Sequence, residues 1–414
     1  MRILRGLLGL RKPRVRLHAA SAAEVTPTQG LIQVHYDVTL AGGETAVLEV
    51  FVGDGPEPAL RRPLTAGPEG SIRDWFALHG HLLPNGPASL RLRVLQGDRE
   101  AAADAVTVQV SNVGDLAAWV RSRLESRGTP LIVADACDST LYDYADASAT
   151  AWFDRTPEEI EAHLAALARS GAADADEIAG LRRFAENGYV ALPGAIADEH
   201  LGRLNAALDH VVENRVKGYA WGSSERIESL HESYPAIREL WTHPRILRML
   251  ELIFGAPARP CQTLSYIFGS QQEHHQDTIH LTPFPAGRMC GVWTALEDVQ
   301  AGSGELMVFP KSHRLPRVYM ADHGAPKVTD GDWSTFGEVI VPAWTRMIEE
   351  QGFAPTPYRA KAGDVLIWHE NLMHAGAPRT DMEKSRRSIV GHYFAEGAIA
   401  YYDSSGMPGT THQV

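Results

Sequence analysis

Between residues 30 and 113 apolar and polar positions alternate with a period of two. In "LIQVHYDVTL" the residues Ile32, Val34, Tyr36, Val38 and Leu40 fall on one face, and Gln33, His35, Asp37 and Thr39 on the other. That is the signature of a strand with one buried side. "TAVLEVFV", "ASLRLRVL" and "AVTVQVSNV" repeat it, separated by turn-forming stretches such as "GDGPEP" and "LPNGP". Half-buried antiparallel strands with no helical signal between them predict a small all-β sandwich over 26–113.

After Asp115 the period lengthens. "DLAAWVRSRLESRG" predicts a helix with an acidic start and a glycine stop, and "TPEEIEAHLAALARSG" offers Thr156 as a cap with Glu159 three residues on. Residues 114–180 are therefore expected as a helical linker region. Next come a helix stopped by Gly188, a short strand in "GYVALPG", another helix, and "HPRILRMLELIFG", a helix ending at Gly255. From Arg259 to Phe394 the apolar runs "MCGVWTALEDV", "GELMVFP", "GDVLIWH" and "RRSIVGHYF" are strand-like. Helices followed by a run of strands imply an α+β domain over 181–414. The segment 320–362, rich in Gly, Pro and Trp, is expected to act as a lid over a site.

A length of 414 residues agrees with more than one domain. A formal charge of −12 opposes non-specific binding to nucleic acid, so no nucleic-acid partner is expected. Three widely spaced cysteines, Cys137, Cys261 and Cys290, form neither a disulfide framework nor a zinc knuckle, and a cytoplasmic location is expected. The basic start "MRILRGLLGLRKPRVRL", within a tail over 1–25, has too short an apolar stretch for a secretory signal. It leaves open a solvated terminus or a short amphipathic tether to a membrane surface. No segment has the roughly 20 apolar residues of a membrane span.

Candidate chemistry concentrates in "QQEHHQDTIHL", residues 271–281. If this segment is a strand, His275 and Asp277 share a face and meet one ion, while His274 points away. Spacing alone proves little, because "VHYDV" holds the same pair, His35 and Asp37, on the polar face of a sandwich strand. The later pair has company: His374 follows a strongly apolar strand, and Arg386 follows it. Two histidines and one carboxylate are the donor set that suits non-haem Fe(II) and leaves positions open for a 2-oxo acid and dioxygen. A guanidinium fork would pair with the second carboxylate of 2-oxoglutarate, and strand parity turns Arg386 rather than Arg387 inward. His280 and His392 are candidates for the substrate channel; His369 is read as closing the apolar run "VLIW".

With these residues in view, the sequence from about Phe184 to Phe394 resembles the phytanoyl-CoA dioxygenase family of Fe(II)/2-oxoglutarate-dependent oxygenases. "FAENGYVALPGAI", "HQDTIHLTPFP", "VWTALEDV", "GELMVFPKSH" and "HAGA" with "SRRSIVGHY" occur in the family's order. The resemblance implies a double-stranded β-helix (jelly-roll, cupin-like) barrel flanked by helices. It also implies His275, Asp277 and His374 as iron ligands, Arg386 on the cosubstrate, and Trp293, Gln262 and Tyr266 around it. Separately, "LLPNGPASLRLRVLQGD" resembles the late strands of immunoglobulin-like modules.

The chain departs from the family pattern at Ser303, where an Asn before glycine is usual, at Lys311, where a turn glycine is usual, and at Ala375 after the distal histidine. Asp277 itself disfavours the related halogenases, which replace that carboxylate to admit chloride. The expected activity is hydroxylation of a small-molecule or glycan-type substrate, with release of succinate and CO2. The alternatives are a catalytically idle scaffold on an oxygenase fold and a cupin-like metalloenzyme that does not use 2-oxoglutarate.

Overall fold

The computed structural model describes residues 13–18, 30–127 and 132–412, and the chain divides into two units, Met1–Cys137 and Asp138–Val414. In the first unit the alternating segments form two four-stranded sheets. One runs Arg14–His18, Leu31–Thr39, Ser71–His79, Val133–Ala134; the other runs Leu60–Thr65, Thr45–Val52, Gly86–Gln96, Arg99–Val110. Val34, Tyr36 and Phe76 of one sheet and Leu48, Val50 and Leu92 of the other share one buried core, as the period of two requires. His35 is exposed on the outer face and Asp37 lies 3.3 Å from Arg73, so this pair sits on a solvated surface.

Part of the basic tail differs from expectation. Arg14–His18 is a strand paired antiparallel to Leu31–Thr39, with Val15 packed on the core and Arg14 and Arg16 exposed. A three-residue alternation was enough to join an existing edge. The remaining terminal residues, with the membrane-tether reading, lie outside the described ones. Among the described residues no helix is long and apolar enough to cross a membrane.

In the second unit the helix signals are realised. Thr156 and Glu159 form a reciprocal capping box on the helix Pro157–Ser170, and Asp174 with Glu177 forms another on Ala175–Asn187. Gly188 ends the latter with φ 81°, and a β-carbon there would lie 2.6 Å from Nδ1 of His313. Glycine therefore supplies both the left-handed turn and the room for that ring.

Six strands make the main sheet, in the order Ile227–Glu228, Ala258–Tyr266, Ser388–Ala395, Met289–Ala295, Val365–His369, Tyr189–Leu192. A second sheet pairs Leu306–Val308 with Thr356–Tyr358 and His374–Gly376, and a third joins Thr282–Phe284, Ile399–Tyr402 and Met407–Pro408. The second unit is thus mixed helix and sheet. Leu264, Trp293 and Leu366 of the main sheet share a core with Leu306 and Val308 of the second.

Within 320–362, Ser334–Gln351 is a helix whose Phe336, Ile340, Trp344 and Ile348 pack against Ile279, Phe309 and Met373. Spacing of four was visible in the sequence, but Pro342 masked the helical reading. One expectation changes: the segment 271–281 is not a strand. His275 makes a single antiparallel bridge to His374, and Asp277–Ile279 forms a 3-10 turn.

Candidate metal centre

Bridge and turn together do what strand parity was expected to do. His275 N donates to His374 O at 3.0 Å and His374 N to His275 O at 3.1 Å, which sets the two imidazoles side by side with centroids 4.2 Å apart. The turn then brings Asp277 between them, with Oδ1 3.7 Å from Nε2 of both His275 and His374. One donor atom from each residue lies within 4.8 Å of the others, and all three residues are buried. His274 points elsewhere, its Nε2 2.9 Å from Thr345 Oγ1.

The imidazoles are prepared as ligands. Nδ1 of His275 donates to Glu273 O at 2.8 Å and Nδ1 of His374 to Leu372 O at 2.9 Å. A carbonyl only accepts, so both rings carry a proton at Nδ1, which leaves Nε2 as the nitrogen that can bind a metal. Burial, reinforced by His374, pushes His275 down to about 3, so it is neutral near pH 7. Burial alone would raise the Asp277 carboxyl, but the imidazoles of His374, His392 and His275 hold it well below the usual carboxylate range. One carboxylate oxygen and two imidazole nitrogens are a donor set that fits a non-haem Fe(II) ion.

These residues line a cavity of about 500 Å³ that Trp293, Tyr266, Gln262 and Arg386 also line. Arg386 is 3% exposed, its Nη1 donates to Gly304 O at 2.9 Å, and its Nε has no hydrogen-bond partner. Among the described residues no carboxylate forms an ion pair with it. Burial pushes it down to about 10, so it stays cationic at neutral pH. An unpaired buried cation at a cavity wall is costly, and a dianionic ligand would remove the cost. The rings of Tyr266 and Trp293 flank the guanidinium, each centroid 5.8 Å from Cζ.

Gln262 makes a contact the resemblance did not foretell: its Nε2 lies 3.1 Å from Nδ1 of His392. His280 lines the same cavity beside Trp333 and Phe336, with ring centroids 5.7 and 5.2 Å away. His369 lies 3.3 Å from Asp154 Oδ2 and accepts from Asn371 N at 2.9 Å, which fixes the turn leading to His374. Sequence reasoning missed Gln276, Trp333, Phe336 and Trp368. For Trp368 the signal was present, since it lies two residues from Leu366 on the same face of an apolar strand.

Two imidazoles, one carboxylate oxygen and a buried arginine thus line one cavity, and the first three could hold a metal ion. Residues 184–388 match the family described as Phytanoyl-CoA dioxygenase (PhyH), and this part of the chain is a phytanoyl-CoA dioxygenase family domain, an oxygenase. Its relatives include the peroxisomal phytanoyl-CoA dioxygenase of Rattus norvegicus, 24% identical over 51% of this chain and 66% of that protein. The phytanoyl-CoA dioxygenase domain-containing protein 1 of Danio rerio is 30% identical over 40% of this chain and 54% of that protein. Among solved structures, the non-heme alpha ketoglutarate dependent carbocyclase SnoK from nogalamycin biosynthesis is 20% identical, covering 59% of this chain and 95% of that one, with a TM-score of 0.45.

Proposed function

We propose that residues 181–414 form an Fe(II)- and 2-oxoglutarate-dependent dioxygenase domain that hydroxylates a small molecule and releases succinate and CO2. The observation that carries this is the pairing, in one cavity, of the His275–Asp277–His374 donor set with the buried cation of Arg386, whose Nε has no hydrogen-bond partner. A scaffold protein has no use for a buried unpaired guanidinium, and a cupin-like hydrolase needs the ligands without the arginine. The main sheet and the Leu306–Val308 sheet are read as the two halves of a double-stranded β-helix. Residues 26–113 are read as an immunoglobulin-like module.

Bound iron, with 2-oxoglutarate and dioxygen, supplies the oxidising chemistry. The chain's own residues hold and orient. His275, Asp277 and His374 would occupy three positions on the metal, and Arg386 would pair bidentately with the distal carboxylate of the cosubstrate. Tyr266, Trp293 and Leu306 wall that end from water, while His280, Trp333 and Phe336 bound the space left for substrate. About 500 Å³ shared with the cosubstrate suits a small metabolite or a single sugar unit better than a polymer. The buried thiols of Cys261 and Cys290 support a reducing, cytoplasmic compartment.

The test is turnover of 2-oxoglutarate without substrate. Fe(II)-loaded protein should release succinate slowly, and a metabolite screen should find compounds that accelerate it. Failure of the Mn(II)-substituted protein to bind 2-oxoglutarate in calorimetry would reject the reading.

A further inference from the structure

One row of cross-strand partners runs across the main sheet directly under the candidate metal centre. Gln262 pairs with His392, His392 with Gly291, and Gly291 with Trp368. At the centre of this row the side chain is missing. A β-carbon on Gly291 would lie 2.2 Å from Cε2 of Trp368, so the indole occupies the space that any other residue would fill. Gly291 has no left-handed backbone angle to explain it; the ring does.

The indole reaches through that notch to the ligand carboxylate. Nε1 of Trp368 donates to Oδ2 of Asp277 at 2.8 Å, and both groups are buried. Nε2 of His392 lies 3.5 Å from the same oxygen. Because the Gln262 amide donates to Nδ1 of His392, the ring carries its proton at Nε2 and turns an N–H toward Asp277. Both donors thus address Oδ2, while Oδ1 is the oxygen that faces Nε2 of His275 and His374. The two oxygens of one carboxylate are differentiated by the sheet beneath it.

We propose that Trp368, seated in the space left by Gly291 and seconded by His392, is a positioning residue that restricts Asp277 to one metal bond. A carboxylate free to swing could bind through both oxygens and take a position that a bidentate 2-oxo acid or dioxygen needs. With Oδ2 engaged by an indole N–H in a dry site, that second bond must displace a buried hydrogen bond. The Trp368 ring also packs against His374, centroids 4.9 Å apart, so the same side chain braces two of the three ligands. The inference rests on the metal-site reading above, but not on turnover or on the identity of the substrate.

The test uses the full chain with Co(II), whose visible d–d absorption reports coordination number without any reaction. Trp368→Phe keeps a ring and deletes the N–H. It should bind Co(II) about tenfold more weakly, with altered d–d bands, and 2-oxoglutarate should perturb those bands less than in the wild type. His392→Phe should shift them in the same direction by a smaller amount. If Trp368→Phe folds poorly, the wild type decides the matter. Zn(II) titration followed by indole NMR should shift the Trp368 N–H, assigned by its position in a Trp-labelled sample. Unchanged Co(II) affinity and bands in Trp368→Phe, or an indole N–H indifferent to Zn(II), overturns the proposal. Absent succinate release with these responses intact would reject the oxygenase reading alone.

Discussion

Nε1 of Trp344 lies 3.0 Å from Oε1 of Gln276, the residue between the two ligands of the His-x-Asp pair. Gln276 also donates through Nε2 to Pro316 O at 3.2 Å and to Asn371 O at 3.4 Å, and it is fully buried. The ligands His275 and Asp277 therefore face the cavity because the side chain between them is anchored on the other side. Gln276→Leu leaves the indole N–H and two carbonyls without a partner. It should cost about 1–3 kcal/mol and weaken metal binding, read by thermal unfolding and Mn(II) titration. Equal stability and equal Mn(II) affinity would refute this anchoring role.

Removing a ligand should abolish the site outright. In His275→Ala and in His374→Ala, Mn(II) calorimetry should show no tight binding and Fe(II)-loaded protein should release no succinate. Retained succinate release in either would show that the metal sits elsewhere.

Arg386 gives a two-sided expectation. Arg386→Met should abolish 2-oxoglutarate binding to the Mn(II) protein yet raise the melting temperature of the ligand-free protein, because it replaces a buried unpaired cation with an apolar side chain of similar length. Arg386→Lys should restore only a small part of the binding, since an ammonium lacks the bidentate fork. A melting temperature lowered by Arg386→Met would mean that the bond to Gly304 O outweighs the cost of the buried charge.

Metal-free protein should lose stability in weak acid. Burial pushes His79 in the first unit and His313 in the second down to about 3 from the usual 6.5. Between those values the unfolded chain takes up protons that the folded one refuses. Their contribution is full above pH 6.5 and is lost as the pH falls toward 3. Each can add up to about 1.4 kcal/mol per pH unit. Urea midpoints at pH 7, 6 and 5 should fall for both units, and His313→Gln should flatten the trend for the second. A pH-independent midpoint would contradict it.

Much of this was readable from the sequence where the signal is local. Period-two alternation found the first-unit strands around Val34 and Val50, and the Thr156 and Gly188 caps found their helices, since a cap needs only its own few neighbours. Long-range partners were harder. Arg14–His18 is a strand only because Leu31–Thr39 offers an edge, and the Leu60–Thr65 strand carries Pro63 and two arginines that hide its alternation. The 271–281 segment pointed to His275 and Asp277 as neighbours for a geometric reason that does not hold. His275 and Asp277 converge through a bridge and a turn, which no spacing rule distinguishes from a strand. The inward face of Trp368 was legible from the alternation with Leu366, but its contact with Asp277 depends on Gly291 opposite it, a long-range pairing.

Paired backbone hydrogen bonds join His275 to His374, and beside them Gly376 N donates to Gln272 O at 2.8 Å. An ion held by both imidazoles would rivet two stretches of chain that otherwise share only these few backbone bonds. Metal occupancy would then govern more than chemistry. It would decide whether the floor of the cavity is a firm surface on which a cosubstrate can be placed, which argues for iron loading before 2-oxoglutarate.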